Sequence, residues 1–117
     1  MLRLASDADV NGAILRGLYR RRPSIDLIRA QDNLPDGTPD SEVLSWAING
    51  GRVFTNDRKT MVSHARRRVA AGEIVPGLIA TTNMQPIGSA IDDIIYIADC
   101  MSEEEIRYQI VVFLPLR

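Results

Sequence analysis

Short apolar runs alternate along this chain with longer segments in which apolar residues recur every three or four positions. The short runs predict strands, and the longer segments predict amphipathic helices between them. Strands are predicted at residues 2–6, 25–29, 52–55, 78–82 and 110–114. Helices are predicted at residues 11–22, 58–71 and 87–101, with one from Thr38 or Asp40 to Gly50 and a short one after Ser102. This alternation is typical of α/β proteins, so we expect a three-layer α/β/α domain around a mostly parallel five-stranded sheet.

Several helix boundaries carry sequence signals of their own. Asn11 is expected to cap the first helix, because its side chain can accept from a free backbone N–H group. A polar loop is expected at residues 31–39, and either Thr38 or Asp40 is expected to cap the helix that follows it. Ser102, followed by three glutamates, predicts a capping box at the start of the last helix.

Composition limits the class of protein. The 117 residues have room for one domain, residues 1–117. Fourteen Lys and Arg residues against 15 Asp and Glu give a net charge of -1, which argues against a generally basic nucleic-acid binder but allows a local basic path. The single cysteine, Cys100, is expected to be a small buried side chain in a reducing, cytoplasmic setting. We expect no signal peptide and no membrane-spanning segment.

Acidic residues follow the apolar runs at several strand ends. Asp7 follows the first predicted strand, Asp57 follows the third, and Asp40 opens the helix after the second. Because the carboxyl ends of parallel strands share one edge of a sheet, these carboxylates are expected to lie near one another. Such a cluster suits Mg²⁺ or Mn²⁺, and a metal with open positions can drive hydrolysis of a phosphodiester. Thr55 and Asn56 are candidates to orient ligands or the attacking water.

Each acid also has a structural interpretation. Asp40 and Asp57 are both suitable helix caps, Asp7 is suitable as a turn residue, and Asp9 is typical of a solvated loop acid. These alternatives stay open from spacing alone. The shared sheet edge nevertheless makes the set a stronger metal-site candidate than any one member.

The remaining polar features are less specific. His64, the only histidine, lies within a predicted helix and is expected to be a surface or half-buried residue rather than a catalytic base. The helix at residues 58–71 is expected to turn Val69 and Ala70 inward. Two basic clusters are either solvated helix faces or contacts for RNA phosphates. They comprise Arg16, Arg20, Arg21 and Arg22 on the first helix, and Arg58, Lys59, Arg66, Arg67 and Arg68 on the third.

Three segments together resemble the PIN-like family. They are the strand that ends in Asp7, residues 40–47 (Asp-Ser-Glu-Val-Leu-Ser-Trp-Ala) and residues 51–57 (Gly-Arg-Val-Phe-Thr-Asn-Asp). The most similar branch is that of the compact PIN-like toxins of toxin–antitoxin pairs, and the layout is similar to the C-terminal domain of the Mut-seven exonucleases. The resemblance covers nearly the whole chain.

This resemblance implies a PIN-like fold and an acid cluster that binds Mg²⁺ or Mn²⁺. It further implies RNA cleavage, a cognate antitoxin as protein partner and, as is common among PIN-like proteins, a homodimer. By position, Asp7, Asp40 and Asp57 match the acids of the family, with Thr55 beside them. The chain departs from the family pattern where Asp9 follows Ala8 in place of Glu-Asn, and where Lys59 replaces a second Asp. The cation at residue 59 predicts weaker metal binding unless Asp9 substitutes for the missing acid.

Two other functions compete with a metal-dependent ribonuclease. The first is a PIN-like module that has lost catalysis and only binds a protein partner or RNA, which Lys59 favours. The second is a phosphate-receiving domain of the response-regulator type, which also carries acids at strand ends. The second function ranks lower, because that chemistry needs a lysine at the end of the last strand and the chain has none there.

Overall fold

A computed structural model describes residues 1–57 and 61–116 of the chain. Strands and helices alternate in the predicted order, with one additional short helix. The elements are β1 (Leu4–Ser6), α1 (Gly12–Arg21), β2 (Leu27–Arg29), α2 (Ala30–Asn33), α3 (Asp40–Asn49), β3 (Val53–Asp57), α4 (Met61–Ala70), β4 (Leu78–Thr81), α5 (Ile87–Cys100), α6 (Glu103–Gln109) and β5 (Val111–Phe113). The start of the predicted third helix, at residues 58–60, and the capping role considered for Asp57 lie outside the described residues.

The five strands form one sheet in the order β2-β1-β3-β4-β5, and every pair is parallel. The predicted α/β/α architecture with a five-stranded sheet is therefore confirmed. Ser6 lies opposite Thr55, and Asp57 lies opposite Thr81. The strand order reverses between β1 and β3, which is the point at which open α/β sheets hold their ligands.

The hydrophobic core has one layer on each face of the sheet, because successive residues of a strand point to opposite faces. Leu4, Val53 and Ile79 pack in the layer that holds the apolar residues of α1 and α5. Ala5 and Phe54 pack in the opposite layer with the apolar residues of α3 and α4. The ends of β1 and β3 that carry the acids thus lie between two layers of helices, each of which packs on its own face of the sheet.

One close approach fixes the position of α6. A Cβ atom on Gly77, just before β4, would lie 2.9 Å from Cβ of Ile106 and 3.2 Å from the backbone nitrogen of Arg107. Ile106 is fully buried. Only a glycine allows α6 to pack this closely against the start of β4.

The predicted caps hold at two helices. Asn11 accepts a hydrogen bond from the backbone N–H of Ala13 at 2.9 Å, as expected at the start of α1. At α6 the Ser102 hydroxyl accepts from the backbone N–H of Glu105, and the Glu105 carboxylate accepts from the backbone N–H of Ser102. Both helix starts therefore follow from the local sequence.

The prediction that Thr38 or Asp40 caps α3 is wrong. The capping position is Pro39, which has no side-chain hydrogen bond to the helix. The Thr38 hydroxyl donates instead to the carbonyl of Pro35 at 2.6 Å. Asp40 is the first helical residue, so its carboxylate does not close the end of its own helix.

The prediction of an irregular loop at residues 31–39 is wrong in its first part. Residues 30–33 form the single turn α2, in which Leu34 donates its N–H to the carbonyl of Ala30 at 2.8 Å. Asn33 donates through Nδ2 to the carbonyl of Arg29 at 2.8 Å. One helical turn with a single buried residue leaves no apolar period in the sequence.

Three burial predictions are also wrong. Val69 is 40% exposed and Ala70 is exposed, because the buried contacts of α4 are confined to its first five residues. Cys100 is exposed at the last position of α5. Among the described residues no helix has the length and apolar character needed to cross a membrane.

Candidate functional site

The carboxyl ends of β1 and β3 bring two of the candidate acids to one edge of the sheet. Asp7 follows β1 directly, and its backbone N–H donates to the carbonyl of Thr55 on β3 at 2.9 Å. Asp57 ends β3 beside Thr81 of β4. The backbone ladder thus holds both residues on rigid strands.

Burial and three neighbouring acids shift the pKa of Asp7. Burial is the largest cause that raises the pKa of Asp7 above its ordinary value of 3.8. The backbone N–H of Ala8 donates to Asp7 Oδ1 at 2.8 Å and lowers this pKa. The negative charges of Asp9, Asp40 and Asp57, in decreasing order, raise it further. Asp9, Asp40 and Asp57 therefore all lie within electrostatic range of Asp7.

The four acids do not all lie on one face of the sheet. Strand alternation directs Asp57, like Thr55, toward α1 and α5, whereas Asp7 follows Ala5 toward α3 and α4. Asp40 heads α3 on the Asp7 side of the sheet. Asp9 lines a cleft together with Asp57 on the other side. The site therefore has two halves that meet at the ends of β1 and β3.

The cleft has a volume of about 700 Å³ and lies between the N-terminal ends of α1 and α5. Its lining combines the two acids with neutral polar groups and apolar side chains, including Asn11, Thr81, Gln85 and Ile87. Gln85 is held in place by donating through Nε2 to Asp93 Oδ2 at 2.7 Å and to Ser89 Oγ at 2.9 Å. The cleft is thus an acidic depression in which Gln85 is held by hydrogen bonds to α5.

Buried polar side chains lie beneath the acids. Ser6, Thr55, Asn56 and Thr81, at the ends of β1, β3 and β4, are at most 4% exposed. The Thr81 hydroxyl donates to the carbonyl of Asn56 at 3.2 Å, and Asn56 donates through Nδ2 to the carbonyl of Asp57. Ser6 Oγ and Asn56 Oδ1 have no hydrogen-bond partner among the described residues. Asn56 and Thr81 therefore support the end of β3 from within, while Thr55 contributes its backbone carbonyl to Asp7.

The donor chemistry of this edge fits a hard divalent cation. No three His, Cys, Asp or Glu side chains within residues 1–57 and 61–116 are arranged to hold a metal. Mg²⁺ does not need such a cage, since it often binds one or two carboxylates and keeps several waters. The charge of Asp7 is disfavoured by burial and by its acidic neighbours, so a nearby cation would stabilise its ionised form.

The structure adds His64, which sequence reasoning had assigned no role at the site. His64 is half-buried in α4, and its Nε2 lies 3.2 Å from Oδ2 of Asp40. The available sequence signal was its place near the start of the helix after Asp57, because the helices after β2 and β3 both begin at the acidic edge. Which side chain of α4 meets α3 depends on helix rotation, which the sequence does not set.

The basic residues at the end of α1 lie away from the acids. Arg20 and Arg21 are at the opposite end of α1 from Asn11, about 13 Å along the helix axis. Arg21 pairs with Asp92 of α5, and Arg22 pairs with Asp99 at 2.6 Å. Two of the four residues in this cluster therefore join α1 to α5, while Arg16 and Arg20 are exposed.

The basic residues of α4 have two different environments. The guanidinium carbon of Arg66 lies 6.0 Å from the centroid of the Phe113 ring, at the carboxyl end of β5. Arg68 instead donates to the carbonyl of Ser41 and to the Ser45 hydroxyl, both at 2.9 Å, and so joins α4 to α3. Arg58 and Lys59, proposed as RNA contacts from the sequence, lie outside the described residues.

Known proteins provide no independent assignment of this site. Comparison of the chain with protein-family models, with curated proteins and with solved structures finds no match. The features that bear on function are therefore the motif residues and the arrangement of Asp7, Asp9, Asp40 and Asp57.

Proposed function

We propose that this chain is a PIN-like endoribonuclease that uses Mg²⁺ or Mn²⁺ to hydrolyse RNA. The observation that carries the proposal is the position of Asp7 and Asp57 at the carboxyl ends of β1 and β3, where the strand order reverses. Burial and the charges of Asp9, Asp40 and Asp57 also raise the pKa of Asp7 there. Clusters of acids with perturbed pKa values are typical of functional sites. A structural role for the cluster would not require so many like charges in one place.

The acids have distinct parts in the proposed mechanism. Asp7 is the central ligand, with Asp40 approaching from the side of α3 and Asp57 from the cleft. Asp9, on the cleft wall, takes the place of the family acid that Lys59 replaces. A bound Mg²⁺ or Mn²⁺ supplies a Lewis acid for the phosphodiester and an activated water for its hydrolysis. Thr55 and Asn56 keep the strand ends rigid beneath the ligands.

The cleft is the proposed position of the nucleotide next to the scissile phosphate. Its amide and hydroxyl groups suit a ribose or a base, and Ile87 supplies an apolar contact. Arg66 on α4 is one proposed phosphate contact. Arg58 and Lys59, which follow Asp57 directly in the sequence, are two more. Arg20 and Arg21 contribute only if the RNA also runs along α1.

The proposed biological setting is a toxin–antitoxin pair in the cytoplasm. The chain would be the toxin, a cognate antitoxin protein would hold its activity in check, and two copies would form a homodimer. The basis for this setting is the motif resemblance of residues 40–47 and 51–57.

A module that binds without cleaving is the second candidate. The absence of a three-ligand metal group among the described residues favours it, as does the cation Lys59 at the position of a family acid. Such a module would bind its protein partner or RNA without a need for metal.

An RNA cleavage assay separates the two functions. Unstructured RNA is incubated with Mg²⁺ or Mn²⁺ and with the wild type, Asp7→Asn or Asp57→Asn; Asp36→Asn, in an exposed loop, is the control. The ribonuclease proposal requires cleavage by the wild type and the control, a loss of at least about 100-fold in the two site variants, and no cleavage after chelation. Equal activity in all four proteins, or none in the wild type, sinks the proposal.

A further inference from the structure

Two short contacts connect Asp40, one of the four acids, to His64 and Arg67 of α4. His64 Nε2 lies 3.2 Å from Asp40 Oδ2, and His64 Nδ1 lies 3.2 Å from Nη2 of Arg67. The His64 and Asp40 side chains are 35% and 38% exposed. The imidazole therefore lies between a carboxylate and a guanidinium, with one nitrogen 3.2 Å from each.

The arginine determines which imidazole nitrogen carries the proton. A guanidinium only donates hydrogen bonds, so Nδ1 of His64 must accept from Arg67 and must be unprotonated. The remaining proton of the neutral ring is then on Nε2, which faces Asp40. A doubly protonated ring would instead direct an N–H group at a cation.

Among the described residues, His64 is the ionisable partner of the Asp40 carboxylate. Asp40 is the first residue of α3, one position after the capping residue Pro39, which contributes no side-chain hydrogen bond to the helix. The negative charge of Asp40 acts on Asp7, so its orientation matters at the site. The helix that carries His64 is fixed relative to α3, since Arg68 donates to both Ser41 and Ser45 at 2.9 Å.

We propose that His64 is a positioning residue, which as the neutral Nε2–H tautomer selected by Arg67 donates to Asp40 and holds this carboxylate toward Asp7. The proposal deepens the proposed ribonuclease function and rests on it for its consequence in metal binding. Hydrogen bonds of this kind orient ligands and commonly change metal affinity by about 10- to 100-fold.

The tautomer is measured first, without metal or RNA. His64 is the only histidine of the chain, so long-range ¹H–¹⁵N NMR of the imidazole needs no further assignment. In alkaline buffer, we expect the proton on Nε2 alone in the wild type. Arg67→Met should introduce a measurable Nδ1–H fraction, whereas Arg20→Met, at the far end of α1, should not. The proposal is overturned if His64 of the wild type carries its proton on Nδ1, or if the wild type and Arg67→Met contain the same proportions of the two tautomers.

Metal affinity then tests the positioning role. We expect His64→Leu to weaken Mn²⁺ binding, measured by calorimetry, by about tenfold or more. His64→Gln should restore most of it, because its amide nitrogen can donate at a similar reach. Unchanged melting temperatures would show that both variants are folded. Affinity in His64→Leu equal to that of the wild type, or an equal loss in both variants, contradicts a positioning role. If the wild type itself binds no Mn²⁺, the ribonuclease function fails, and the NMR result alone decides whether Arg67 selects the tautomer.

Discussion

Asp7 is locked to β3 by a backbone hydrogen bond, in which its N–H donates to the carbonyl of Thr55 at 2.9 Å. This bond continues the parallel pairing of β1 and β3 one residue past Ser6. The Asp7 carboxylate is therefore fixed where the strand order reverses, partly buried and among three other acids.

The first prediction concerns stability and pH. Because burial and neighbouring charges raise the pKa of Asp7 in the folded protein, the folded state binds this proton more tightly than the unfolded state. Stability therefore falls as pH rises from 3.8 through the raised pKa, and the full loss is present above it. Asp7→Asn removes this loss.

We expect Asp7→Asn to melt a few degrees above the wild type at pH 7 in the absence of metal. The difference should shrink and vanish below pH 3.8, where the carboxyl is protonated in both states. Thermal melts between pH 3 and pH 8 measure this, with Asp36→Asn as the control. A variant less stable than the wild type at neutral pH would show that the Asp7 charge stabilises the fold.

The second prediction concerns Asp9, whose charge has the largest Coulombic effect on Asp7. Removing a neighbouring negative charge favours the ionised form, so Asp9→Asn should lower the pKa of Asp7. Asp57→Asn should lower it less. Carboxyl ¹³C NMR titration of Asp7 in each variant measures the two changes. The reverse order would place Asp57, rather than Asp9, as the closer electrostatic partner.

The third prediction tests the close packing of α6 on the sheet. Gly77→Ala would bring a methyl group against the Cβ atom of Ile106 and the backbone of Arg107, and should cost about 1–3 kcal/mol of unfolding free energy. Gly88→Ala, in α5, meets nothing within 4 Å and should stabilise the protein by up to about 1 kcal/mol. Urea denaturation measures both. Equal stability of the two variants would mean that α6 is free to move away from β4.

The edge of the sheet was predictable because it follows from topology alone. Alternating apolar strands and amphipathic helices require parallel pairing, and parallel pairing places the residues after β1 and β3 together. Strand periodicity also explains why Asp7 and Asp57 face different layers. These features depend on the positions of residues along the chain, which the sequence contains directly.

The surroundings of the acids were not predictable in the same way. His64 reaches Asp40 only because α4 packs on α3 with a particular rotation, which many distributed contacts determine. The cleft beside Asp9 depends on the spacing between the starts of α1 and α5. Asp40 has the side chain typical of a cap, but Pro39 occupies the capping position and Asp40 is the first residue inside the helix. Packing between helices decides each of these features.

The most direct test of the metal site is a crystal structure with Mn²⁺, located by its anomalous scattering. We expect a peak at the carboxyl ends of β1 and β3, about 2 Å from a carboxylate oxygen of Asp7, with Asp40, Asp57 or Asp9 as further or water-mediated ligands. The peak should be absent from crystals of Asp7→Asn grown and soaked in the same way. No peak at this edge in the wild type, or an equal peak in the variant, would contradict the proposed metal centre.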